Sequence, residues 1–228
     1  MPRLLETLIG PRVPVEELRA RPVRYGLPTV LFIAARLALL VSIFFPYWHM
    51  ELDAPQYPEG LFLTAYVNNL QGDVKEIDSL NHYIGMRPLG EAAAFERANA
   101  VWMIIAMFLL VEGAAFVHSR WAVLLALPAV LFPAGFLVDL YYWMAKFGQN
   151  LDPSAPLSSS IKPFTPTVLG EGGIGQFKTY AELGDGWWMA LACSALTVVA
   201  FFFHRRAYKP LFDRARRGVT KGQELLSA

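Results

Sequence analysis

A chain of 228 residues with 55% hydrophobic and 17% charged side chains is too apolar for an ordinary soluble domain of its length. The formal net charge of +1 supplies no bulk positive field, so no nucleic-acid partner is expected. Cys193 is the only cysteine, which excludes a disulfide-stapled loop, a thiolate metal site and a c-type haem attachment.

Residues 1–26 form an arginine-rich segment punctuated by Pro11, Pro14 and Pro22 and read as loosely ordered. The first of four apolar stretches follows at 27–48, with the others at 99–117, 121–144 and 187–203. At ~1.5 Å per residue a hydrocarbon core of ~30 Å needs about 20 helical residues, so each is read as a transmembrane span. The first is no signal peptide, because its apolar run is too long and Phe44-Phe45-Pro46-Tyr47-Trp48 offers no small-residue cleavage site.

Residues 49–98 form a long connection with its own pattern. Leu61 to Val67 is aromatic and β-branched and predicts a strand, with Asn68 to Gly72 as a turn. Asp73 is placed to cap a helix that sets Val74, Ile77, Leu80 and Ile84 on one face, and Gly85 and Pro88 stop it. From Glu91 the chain is expected to run as helix, unbroken through Ala92-Ala93-Ala94, into the second span. A turn at 118–120 carries Arg120 and leads to the third span, which Pro128 and Pro133 should bend.

Residues 145–186 are rich in Pro, Ser and Gly. Pro153, Pro156, Pro163 and Pro166 argue against regular structure, and this stretch reads as an extended strap. Gly170-Glu171-Gly172-Gly173-Ile174-Gly175 lacks the lysine of a phosphate loop and reads as a flexible bend. Residues 204–228 form a basic, weakly amphipathic tail suited to an anionic membrane surface.

Charge sorts by segment. Arg3, Arg12, Arg19, Arg21 and Arg24 precede the first span, and Arg205, Arg206, Lys209, Arg214, Arg216, Arg217 and Lys221 follow the last, whereas the two long connections are acidic. By the positive-inside rule both termini are cytoplasmic and both long connections lie outside. The expected fold is an all-α membrane protein: an antiparallel four-helix transmembrane bundle with a small α/β extracytoplasmic cap built by the first connection. Close helix contacts are expected at Ala34, Ala35, Gly113, Ala114, Ala190 and Ala192. Tyr47, Trp48, Tyr141, Tyr142, Trp143, Trp187 and Trp188 fall at outer span ends and read as an aromatic belt.

Three charges lie within spans, Arg36, Glu112 and Asp139. Counted from the inner ends, Arg36 lies roughly 13 Å deep and Glu112 roughly 8 Å deep, a gap that an arginine side chain bridges, so the two are predicted to pair. With no ladder of acidic groups, the pair reads as a packing device before an ion path.

Outside the membrane, His82 and Met86 are spaced i, i+4 in Asn81-His82-Tyr83-Ile84-Gly85-Met86, and His49-Met50 emerges from the first span. Imidazole with thioether favours copper, thioether selecting the cuprous state, if the helical turn persists through Gly85. Asn81 and Tyr83 are then candidates to orient the imidazole. The plainer alternative has Met86 packing and His82 hydrogen-bonding the strand. Haem b would need two opposed axial ligands, and His118 and His204 both lie at inner helix ends. No Ser/His/Asp set, paired carboxylates or metal-hydrolase signature points to an enzyme.

The blocks Tyr57 to Leu61, Gly72-Asp73-Val74, Leu80 to Met86, Gly148 to Pro156 and Pro163 to Pro166 resemble a group of bacterial multi-pass membrane proteins. That group is associated with gene neighbourhoods for nitrous-oxide reductase maturation and copper handling. The resemblance implies the bacterial inner membrane and a copper setting, with His82 and Met86 the matching positions. Three functions are expected candidates: an accessory protein of a periplasm-facing copper or respiratory system that holds or passes Cu(I), a non-catalytic assembly or anchoring subunit with a membrane or periplasmic protein partner, and a small oligomeric transporter using Arg36 and Glu112.

Overall fold

The computed structural model describes residues 13–118, 121–157, 159–174 and 176–227, leaving Arg3, Pro11, Arg12 and Arg120 outside the described residues, as are the side chains of Arg214, Arg216, Arg217 and Lys221. Among the described residues, four helices are long and apolar enough to cross a membrane, at Pro22–Phe44, Ala94–Phe116, Ala122–Gln149 and Asp185–Leu211. The chain is a multi-pass membrane protein. It divides into two compact units, one of residues 1–40, 105–131 and 192–228, the other of residues 41–104 and 132–191.

The first unit is helical. A short helix α1 (Val15–Ala20) precedes α2 (Pro22–Val41), and the unit also takes the later part of α4 (Ala94–Phe116), the early part of α5 (Ala122–Gln149) and most of α6 (Asp185–Ser227). Small residues let the helices approach: Ala35, Ala114, Ala126, Ala129 and Ala200 are all buried, with Phe32, Leu39 and Val111 filling between them. Gly113 is half-buried, whereas Ala34 and Ala192, expected at contacts, are exposed. Phe32 meets Phe201 edge to face at 5.1 Å. The Ser194 hydroxyl donates to the Val130 carbonyl at 2.7 Å, tying α6 to α5. Because α6 continues without a break to Ser227, the basic tail is an extension of the last span and not a separate surface helix.

The second unit contains the departure from an all-α fold, a five-stranded antiparallel sheet of order β3-β2-β1-β5-β4. Its strands are β1 (Trp48–Ala54), β2 (Tyr57–Ala65), β3 (Leu70–Gly72), β4 (Gly170–Ile174) and β5 (Phe177–Leu183), with α3 (Val74–Ile84) following β3. The second connection therefore supplies two of the five strands. Its prolines stop at Pro166, and beyond them Phe177, Thr179 and Ala181 alternate inward against outward Lys178, Tyr180 and Glu182, the period-two pattern of a half-buried strand. The glycine-rich run expected to be a bend is β4, paired residue by residue with β5 from Gly170↔Ala181 to Ile174↔Phe177.

The sheet core gathers Trp48, Leu52, Leu61, Leu63, Phe177 and Ala181 with Ile77 and Ile84 of α3, and Phe136, Leu140 and Met144 of α5 pack against it. The sheet and the third span thus share one apolar core. The first span ends at Phe44, so Trp48 opens β1 and does not belong to a helix. Three expected belt residues are core residues for a polar reason as well as an apolar one. Trp48 donates its indole N–H to the Val168 carbonyl at 2.6 Å, Trp187 donates to Pro133 at 2.9 Å, and the Tyr47 hydroxyl meets Ser42 Oγ at 2.7 Å. Tyr141, Tyr142 and Trp188 remain exposed.

Two local expectations also change. Asp73 occupies the N-cap position of α3 as expected but makes no side-chain cap bond; its carboxylate accepts the Phe62 N–H at 2.8 Å and ties the helix entrance to β2. The approach to the second span is interrupted, since Ala93 adopts a left-handed φ of 49° and α4 starts at Ala94.

Candidate functional site

The four proposed metal donors all lie in the sheet unit, on three different surfaces. On β1, alternation sends neighbouring side chains to opposite faces. His49 lies on the outer face, its Nδ1 3.2 Å from Thr64 Oγ1, while Met50 packs against the sheet core. On α3, His82 is exposed, whereas Met86 is partly buried and packs against that same core. The helical turn expected to carry both does not persist. Gly85 takes a left-handed φ of 81° and caps the helix, and the Met86 N–H bonds back to the Asn81 carbonyl at 2.8 Å. Asn81 is buried with its amide nitrogen unpartnered, so that nitrogen does not orient His82; Tyr83 is exposed and meets His82 only edge-on at 6.2 Å. This donor set does not fit copper as arranged.

The Asn81 to Met86 block has a different task. The Asp152 N–H donates to the Gly85 carbonyl at 2.7 Å, and the Leu157 N–H donates to the Tyr83 carbonyl at 3.0 Å. A Cβ at Gly85 would strike the Asp152 backbone at 2.6 Å, so both the dihedral and the close approach require glycine. Asp152 Oδ1 accepts the Ser154 N–H at 2.8 Å and the Ser154 hydroxyl at 2.7 Å. These two bonds, with a weaker contribution from His82, hold the Asp152 carboxyl below its ordinary range. Two blocks of the resemblance, Leu80 to Met86 and Gly148 to Pro156, therefore meet as one turn-and-strap junction.

The outer face of the sheet is open. Across β2, β1, β5 and β4 the register lines up Phe62, Glu51, Tyr180 and Glu171, and beside them His49 is flanked by Thr64 and Glu182 and Asp53 faces Lys178. Phe62 is 51% exposed and Tyr180 41% exposed. Four carboxylates against one lysine make this face acidic, and the two aromatic rings offer flat apolar contact area. Such a surface suits recognition, where aromatic anchors in a polar surround carry contact energy. The sequence signal was the outward half of each strand's alternation, which could be read only once β5 was recognised as a strand.

In the helical unit, Arg36 forms an ion pair with Glu112, and its guanidinium lies 5.4 Å from the Phe108 ring centroid. The Arg36 side chain is 11% exposed and that of Glu112 38% exposed. Sequence reasoning missed a ring cluster: His118 and His204 stack at 5.1 Å, and Tyr208 lies 4.0 Å from the first and 4.5 Å from the second. Nothing in local sequence pairs these residues, which come from just beyond the end of α4 and the interior of α6. Stacked ring faces do not direct two nitrogens at a metal between them, so the pair does not form a haem-ligand geometry. Among the described residues no group of three or more His, Cys, Asp or Glu side chains is placed to hold a metal ion.

Comparison with known proteins gives no matching family model and no matching curated relative.

Proposed function

We propose that this chain is a non-catalytic anchoring or assembly subunit of the bacterial inner membrane, with both termini cytoplasmic and the sheet unit on the extracytoplasmic side. The sheet docks a membrane or extracytoplasmic protein partner through its open face. One observation carries this reading: the strands from both connections close into a single sheet whose inner face shares a core with the third span, while Phe62 and Tyr180 stay exposed on the other face. A recognition surface built on a rigid element loses little entropy on binding. The charge asymmetry between the termini and the long connections supports the orientation. The resemblance supports a search for the partner among copper-handling respiratory systems.

The copper-holding reading has weaker support, because His82 and Met86 are separated by the Gly85 turn. The transporter reading rests on one ion pair. The deciding experiment solubilises native membranes gently and follows the mass of the complex containing the tagged full chain. Phe62→Arg with Tyr180→Arg is expected to leave the chain folded and to abolish the larger species. A wild-type chain that runs at the same mass as this variant sinks the proposal.

A further inference from the structure

We infer that the groove between the start of α2 and the middle of α6 binds the phosphate headgroup of an anionic phospholipid. The groove measures about 800 Å³, and its lining includes Arg21, Arg24 and Arg206 together with Leu27, Phe203 and Ala207. No acidic side chain lines it. Arg24 Nη2 donates to the Arg206 carbonyl at 3.1 Å, which fixes one guanidinium against the opposite wall. Among the described residues the ion pairs are Arg36–Glu112 and Arg87–Glu91, so none of the three groove arginines has a carboxylate partner. Glu17 lines an adjoining cavity together with Arg21 and Arg24, and there it accepts the Tyr25 hydroxyl at 3.1 Å.

Three guanidiniums without carboxylates favour an oxyanion, and their forked donors match phosphate oxygens. The first turn of α2 carries no acidic residue to oppose the positive end of its helix dipole, which adds to the same field. Both a free phosphate and a lipid headgroup share this chemistry. Leu27 and Phe203 favour the lipid, because each continues from the charged mouth along a helix long enough to cross a membrane and offers an apolar wall to an acyl chain. Basic pockets between spans recognise lipid headgroups by this division of labour.

The test offers the purified full chain equal amounts of phosphatidylglycerol and phosphatidylcholine in detergent and reads the retained ratio by native mass spectrometry. Wild type is expected to prefer phosphatidylglycerol, and Arg21→Gln and Arg206→Gln each to reduce that preference about five-fold. Arg206→Lys should restore part of it. Arg205→Gln, exposed and outside the groove lining, should leave it unchanged. Undiminished preference in the double glutamine variant overturns the assignment, and so does an equal loss in Arg205→Gln. Full displacement of the lipid by an equal concentration of inorganic phosphate would make the groove a free-anion site and would also overturn it.

Discussion

Replacing Gly85 with alanine isolates what the Asn81 to Met86 block does. The substitution adds one methyl group at a φ of 81°, where an L side chain costs about 1–2 kcal/mol. The new Cβ would also stand 2.6 Å from the Asp152 carbonyl oxygen, 2.8 Å from the Asp152 nitrogen and 3.1 Å from the Ala155 Cβ. Two of these neighbours are backbone and cannot rotate away, so overpacking adds about 1–3 kcal/mol. The cheapest relief is local. The strap lifts, giving up the Asp152 N–H to Gly85 and Leu157 N–H to Tyr83 bonds, while the sheet core, which holds neither residue, stays packed. At a combined cost of about 2 kcal/mol or more, the opening equilibrium of the junction should shift by roughly 30-fold. Hydrogen exchange followed by mass spectrometry on the detergent-solubilised protein reads this directly. Peptides covering 150–157 should exchange faster, and those covering 61–65 should be unaffected. Unchanged exchange at Asp152 and Leu157 would refute the claim that Gly85 is retained for close approach, and a global acceleration would refute its locality.

Arg36→Met leaves Glu112 without its partner and should lower thermal stability in detergent by about 1–3 kcal/mol, discounted because Glu112 is partly exposed; adding Glu112→Leu should recover most of it. A double variant no better than the worse single one would show that the pair does not act as a unit. The Asp152 junction should depend on pH with a definite sign. Its folded pKa is depressed below 3.8, so its stabilisation is present above that value and is lost as pH falls through the lower folded one. Strap exchange relative to the intrinsic rate should therefore hold constant from neutral pH down to about 5 and rise only below about 4, and a midpoint near neutrality would contradict the hydrogen-bond assignment. In cuprous titration, wild type, His82→Ala and Met86→Ala should bind alike, since Gly85 parts the two donors. A selective loss in both variants would show that the turn opens to assemble a site.

Sequence alone determined the membrane character, because hydropathy summed over some 20 residues is a property of composition and needs no knowledge of neighbours. It also determined α3, where Val74, Ile77, Leu80 and Ile84 repeat at helical spacing and Gly85 ends the run. Only the tertiary structure decided how the two connections combine. Trp48 pairs with Leu183 across most of the chain, and no local rule announces that partner. The alternation from Phe177 to Leu183 was present in the letters, but the prolines and glycines before it dominated the reading. The same limit governed the side chains. Sequence spacing set His49 beside Met50 and His82 near Met86, yet strand alternation separates the first pair and a left-handed glycine the second. Tyr47, Trp48 and Trp187 have the composition of an interface belt, and what lets them be buried is a set of hydrogen-bond partners supplied by Ser42, Val168 and Pro133. Hydrophobicity is local and additive, so it can be read along a chain; strand pairing and the direction of a side chain depend on which distant backbone arrives alongside, and that exists only after folding.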